Sequence, residues 1–105
     1  MDMLLINKFP KIESIWLKDS TIDFVQIGYP SLLTNFKLEN ITISAEGKQN
    51  IIEQFYKFRK GFDNAVTLDF ITTGTFNAET TAMINGTGIY AGDGLVDNNF
   101  TVNIS

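Results

Sequence analysis

The chain contains neither cysteine nor histidine. The first absence rules out a disulfide framework and a thiolate metal site. The second removes the commonest general base at neutral pH and the commonest zinc ligand. Much of enzymology is closed by those two zeros, and the chain is read as a non-enzyme with no catalytic, cofactor or metal residue assigned. A third absence is positional. All eight Lys and Arg residues fall at or before Lys60, and Asp63, Asp69, Glu79, Asp93 and Asp97 follow it with no cation between them. Gripping nucleic acid requires Lys and Arg against phosphates, so the C-terminal part is expected to repel DNA and RNA. No apolar run reaches the roughly 20 residues that span a bilayer. The apolar start, Met3 to Ile6, is short and preceded by Asp2 where a signal peptide carries positive charge, so neither signal sequence nor anchor is expected.

What is present is a chain of 105 residues and 11.8 kDa, the size of one domain. Its hydrophobic residues, 44 % of the total with nine Phe among them, are enough for a packed core and argue against disorder. The net charge is −4 and the mean hydropathy +0.03. Sequons occur at Asn40, Asn85, Asn99 and Asn103; a chain rich in Asn and Thr, residues that suit strand surfaces and turns, explains them without glycosylation.

One helix is expected over about residues 50–60. Ile51, Phe55, Phe58 and Phe62 recur at helical spacing, with Ile52 and Tyr56 widening the stripe. Asn50 and Glu53 make a capping-box-like start, Lys57, Arg59 and Lys60 suit the negative end of the dipole, and Gly61 supplies a left-handed stop. Strands are expected at Leu38 to Ser44, where the alternation slips once near Asn40, and over AVTLDFIT and FTVNIS. The segment TAMINGTGIYAG reads as a bent strand, with Ala82, Ile84, Gly86, Gly88 and Tyr90 on one parity. TIDFVQIGYP reads as a strand ending at Pro30, and IESIWLKDS as an extended or short helical piece. Together these predict a mainly β, α+β domain: an antiparallel β-sandwich or barrel with one flanking helix.

The glycine- and aspartate-rich stretch INGTGIYAGDGLVDNNF invites a chemical reading. As a phosphate loop it lacks the following helix and the Gly-Lys-Ser/Thr ending. As a calcium loop it offers Asp93, Asp97, Asn98 and Asn99 but not the acidic spacing or closing Glu of an EF-hand. A hairpin turn built from residues tolerant of positive φ is the better account. Carboxylate pairs such as Glu46 with Glu53, or Asp69 with Glu79, are explained by caps and solvated strand faces. Trp16 and Tyr29 suit a core or an interface as well as a stacked ligand, and Lys57, Arg59 and Lys60 suit a helix end.

The order ITIS, KQNIIEQFYKFRKG, VTLDFI, TAMINGTGIYAG, a DGLVDNN turn, then FTVNIS resembles the C-terminal half of the tail tube proteins of long-tailed bacteriophages, over Leu38 to Ser105. Gly92, Gly94, Val96 and Asp97, followed by Phe100, Val102 and Ile104, occupy that family's last hairpin. The resemblance implies a single tail-tube-like domain over 1–105, with residues 1–37 holding an N-terminal arm and loop. It further implies a virion protein, made in the host cytoplasm, that self-assembles into rings, commonly hexameric, which stack into a DNA conduit beside other tail proteins. Asp69, Glu79, Asp93 and Asp97 would face the lumen, past which DNA slides without specific binding, and Lys8, Phe9, Pro10 and Lys11 would form an inter-ring arm. No cofactor, small molecule or membrane is implied. The alternative from the residues is a small acidic binding module, an inhibitor or adaptor, docked on a basic partner.

Overall fold

In the main sheet, segments that alternate inward and outward residues become strands, and two segments with helical spacing become helices. Residues 3–5, 11–27 and 32–105 are described in the structure, a computed structural model of the chain. In order they form β1 (Met3–Leu5), β2 (Ser14–Lys18), β3 (Phe24–Gln26), β4 (Asn35–Glu39), α1 (Ala45–Lys57), β5 (Val66–Ile71), α2 (Ala78–Asn85) and β6 (Phe100–Ile104). Short 3-10 turns at Gly88–Tyr90 and Leu95–Asn98 lie between α2 and β6.

The main sheet has the order β2-β4-β5-β6 and every neighbouring pair is parallel. β1 and β3 pair in parallel in a second, smaller sheet. Parallel neighbours require the chain to travel back before each new strand. Here it does so through a second layer in which β1, β3, α1 and α2 follow one another side by side. The chain therefore winds as a short coil, one main-sheet strand per turn. Ser14 pairs with Asn35, 21 residues on; Asn35 with Thr67, 32 on; and Val66 with Phe100, 34 on. The strand side of the coil is regular and the return side changes from strand to helix.

This corrects the expected antiparallel sandwich or barrel. A period of two reports which side chains face inward and says nothing about strand direction, so the alternation was equally compatible with either arrangement. The segment expected as a bent strand is instead the end of α2 followed by the first 3-10 turn; α2 is capped by Asn77, whose Oδ1 accepts from the Thr80 N–H at 2.8 Å, and closed by Gly86 at φ 68°. Its buried residues Thr80, Met83 and Ile84 have the i, i+3, i+4 spacing of a helix. No hairpin joins β5 to β6; the Gly/Asp stretch lies in the return path instead.

The helix expected near 50–60 is α1, but it begins at Ala45. Ser44 caps it, accepting from Gly47 N–H at 3.0 Å. Asn50 sits inside the helix and its Oδ1 takes the N–H of Val25 at 2.9 Å, while Gln54 Oε1 takes that of Ile27 at 3.4 Å. Two donors on the helix side of β3 are thereby satisfied by side chains rather than by another strand. Gly61 is not left-handed; its N–H simply donates to Phe58 O at 2.8 Å.

Each of the first three main-sheet strands ends on a left-handed residue: Asp19, Asn40 and Thr72, with φ of 54°, 53° and 56°. They occupy the same rung of the coil. Asp19 N–H donates to Glu39 O and Asn40 N–H to Ile71 O, and Asn40 Nδ2 donates to Asp19 Oδ1 at 2.7 Å. Asp and Asn accept this conformation more readily than other side chains do. The corner ladder turns the chain out of the sheet at a constant level.

Between the layers lies one core. Ile15, Phe36 and Leu68 form one inward row and Leu38 with Phe70 the next, packed against Ile51, Ile52 and Phe55 of α1. Phe55 touches Phe36 edge-on with centroids 5.1 Å apart, and it also meets Phe62 and Phe100.

Candidate functional site

The parity that fills the core leaves the other face of the main sheet uncovered by any described element. Along the strands it presents three rows. Ser14, Asn35, Thr67 and Thr101 make a neutral one; Trp16, Lys37, Asp69 and Asn103 the central one; Lys18, Glu39 and Ile71 the third. Neighbouring strands lie about 4.8 Å apart, so the central row is a continuous strip across the whole sheet.

Trp16, the only tryptophan of the chain, is 61 % exposed at one end of this strip. The Lys37 ammonium lies 4.5 Å from its ring centroid. Lys37 also reaches Glu39 at 3.9 Å, and Lys18 meets the same carboxylate at 3.4 Å. Lys37 is the direct cross-strand neighbour of Asp69, yet it leans away toward Trp16 and Glu39. Asp69 consequently accepts one hydrogen bond, from Asn103 Nδ2 at 2.7 Å, and has no cation in ion-pair range among the described residues. An aromatic platform and an uncompensated carboxylate thus share a flat polar face.

The four acidic residues expected to share a lumen are placed apart. Asp69 is on the sheet face. Glu79 lies exposed in the first turn of α2, where it suits the positive end of the helix. Asp97 accepts from the Gly94 N–H at 2.9 Å and so closes its own 3-10 turn. Asp93 is held by Arg59, whose Nη2 and Nε donate to it at 2.6 and 3.2 Å. Asn98 Nδ2 adds a bond to Asp93 at 2.9 Å, and the Arg59 guanidinium stacks 4.0 Å from the Tyr56 ring centroid. Tyr56 in turn meets Tyr90 edge-on at 5.2 Å. This clamp ties the end of α1 to the long return segment. Of the cationic cluster at 57–60, Arg59 and Lys60 both turn to Asp93, Lys60 at 3.8 Å. Of the expected arm, Lys8, Phe9 and Pro10 lie outside the described residues, as does Tyr29, and Lys11 is an exposed turn residue.

Of the carboxylates considered for calcium, Asp93 is thus engaged by Arg59 and Asn98, and Asp97 by the Gly94 N–H. Among the described residues no group of three or more His, Cys, Asp or Glu converges on a metal position, and no helix is long and apolar enough to cross a membrane.

The clamp has a pH signature. Arg59, and after it Asn98, hold the Asp93 carboxyl well below the usual carboxylate range by hydrogen bonding to its charged form. A lowered folded-state value means that the stabilisation is complete above the unfolded value, near 4, and is lost as pH falls toward the folded one. The urea midpoint of the parent is therefore expected to drop between about pH 5 and about pH 2 more steeply than that of Asp93→Asn. Parallel curves for the two proteins would show that the clamp adds nothing.

Comparison of the chain with family models, with curated proteins and with solved structures found no match. The class is therefore described from the coil alone: a short parallel solenoid with one open sheet face. Trp16, which the sequence offers for a core, an interface or a stacked ligand, is placed on the open face at the β2 edge, where the alternation of IESIWLKDS turns it away from the core.

Proposed function

We propose that this chain is a protein-binding module, without catalytic activity, that docks a basic segment of a partner across the outer face of its parallel sheet. The observation that carries this is the juxtaposition, on one uncovered strip, of a largely exposed tryptophan and an aspartate that meets no cation among the described residues. Tryptophan is enriched at the centres of protein interfaces because it offers large, rigid contact area. A carboxylate flanked by Thr67, Thr101 and Asn103 accepts an arginine in a two-bonded fork, and the free side of the Trp16 ring accepts a second cation or an aliphatic stem. The net charge of −4 favours encounter with a basic partner.

Because Trp16 is the only tryptophan, its fluorescence reports this face directly. A short Gly/Arg peptide is expected to change the emission saturably and its Gly/Glu counterpart to leave it unchanged. Asp69→Asn, a near-isosteric change on an exposed face, should weaken the Gly/Arg response about tenfold, about 1.4 kcal/mol. Asp63→Asn, in the loop before β5, should not. Equal responses to the two peptides, or an Asp69→Asn titration that overlays the parent, would sink the proposal.

A second reading, assembly of copies into a virion tube, has lost the hairpin on which its family resemblance rested. It retains one supporting observation, the unguarded edge of β6.

A further inference from the structure

β6 is the last strand of the main sheet and, among the described residues, pairs on one side only, with β5. Two ladder bonds define its orientation: Val66 N–H donates to Asn99 O, and Ser105 N–H to Phe70 O. In a parallel ladder the same alternate residues of a strand face a given neighbour with both N–H and C=O. Asn99, Thr101, Asn103 and Ser105 therefore face β5. Phe100, Val102 and Ile104 aim their main-chain groups at the open edge.

The side chains of those three residues point toward the core side. Burial fades along them, from Phe100 at 5 % exposed, through half-buried Val102, to Ile104 at 43 %. The segment FTVNI carries no charge, no proline and no glycine, which are the usual devices that discourage an edge from pairing. The opposite edge is different. β2 ends in Lys18, whose side chain is 54 % exposed. One edge of the sheet is guarded and the other is not.

We propose that β6 is a self-association edge, and that two copies of the chain join through it as an antiparallel, two-fold symmetric pair centred on Val102. The sequence of the strand makes this register self-consistent. A two-fold axis normal to the sheet sets Val102 opposite its own copy and Phe100 opposite Ile104. All three are residues whose main-chain groups are free to bond, giving about six new hydrogen bonds. It also sets Thr101 opposite Asn103, polar against polar on the outer face. Core-side residues stay on the core side, because a shift by one residue would reverse every side chain. Ile104, the most exposed of the three, gains an aromatic cross-strand neighbour. The edge adjoins the strip around Trp16 and Asp69 and shares Thr101 and Asn103 with it. The readout is association of the chain with itself in the absence of any peptide, so failure here and failure of the docking proposal are distinguishable.

A single strand edge buries less than a standard interface, so the dimer is expected to be weak, half-formed on the order of 100 µM. Sedimentation velocity from about 1 µM to about 1 mM should show a reversible monomer–dimer equilibrium and no larger species. Two double variants test the register. Thr101→Glu with Asn103→Lys places opposite charges across the axis and should tighten the dimer about tenfold. Thr101→Lys with Asn103→Lys places like charges there and should weaken it about tenfold, even though this variant reduces the net charge that keeps copies apart. Both put the same lysine beside Asp69, so that contact cancels between them. A monomer at every concentration, growth beyond the dimer as in head-to-tail stacking, or equal behaviour of the two variants would each overturn the proposal.

Discussion

Phe55→Ala is expected to lower the free energy of unfolding by about 4 kcal/mol, a large share of the roughly 5–15 kcal/mol available to a domain. Phe55 is fully buried on α1 and touches three other rings, Phe36 on β4, Phe100 on β6 and Phe62 beyond the helix. Removing it forfeits the transfer energy of the ring and leaves a void. The rigid parallel sheet on one side cannot collapse into that void. Phe76→Ala provides the comparison. Phe76 is only half-buried and meets one ring, Phe70, at 5.0 Å, so water fills part of its place. Denaturant melts should show a loss for Phe76→Ala less than half that of Phe55→Ala. Similar losses would mean that the three-ring junction is not the centre of the core.

Gly94→Ala comes next, with an expected loss of about 3 kcal/mol and a fall in Tm of about 15 °C. The reason is contact rather than conformation. Gly94 has φ −79° and ψ 177°, which any residue adopts. A Cβ there would overlap the backbone of Gly86, and it would sit 2.9 Å from the Asn85 carbonyl carbon. Backbone atoms cannot swing aside as a side-chain tip can, so the end of α2 and the start of the last 3-10 turn would have to separate. Gly88→Ala isolates the other effect. Gly88 is left-handed at φ 61° with open space around it, and alanine there should cost about 1 kcal/mol. Thermal melts that rank Gly88→Ala as the more damaging change would refute the account of the Gly86–Gly94 contact.

These two positions show what was legible in the chain and what was not. The stripe of Ile51, Ile52 and Phe55 identified α1, because helical spacing and the amphipathic face coincide there. The alternation at Val66, Leu68 and Phe70, and again at Phe100 and Val102, identified two strands and their inward residues. Strand direction was not legible, since alternation is identical for parallel and antiparallel partners. α2 is hidden in the sequence because Ala82, Ile84 and Gly86 also fit a period of two; its clearest sign is the Asn77 cap, three residues before Thr80. The acidic residues were legible as a type and not as a place. Asp93 belongs to Arg59 and Asp97 to its own turn, both partnerships made within the return layer. Of the four expected at a lumen, Asp69 stands on the open face, and only the pairing of β4 with β5 reveals that Lys37 turns away from it.

The corner ladder of Asp19, Asn40 and Thr72 also governs how the chain must fold. Its rungs are adjacent in space but separated by 21 and 32 residues in sequence, the same intervals that separate paired strands of the main sheet. No strand is joined to its neighbour by a tight turn, so the sheet has no hairpin to nucleate it. Every rung closes a long loop, and loses that loop's entropy, before its hydrogen bonds form. α1 is the longest element that can form from local contacts alone. A chain of this size with so few local strand contacts folds at the pace of loop closure, and its unpaired strand edges stay open to other chains until the last coil is wound.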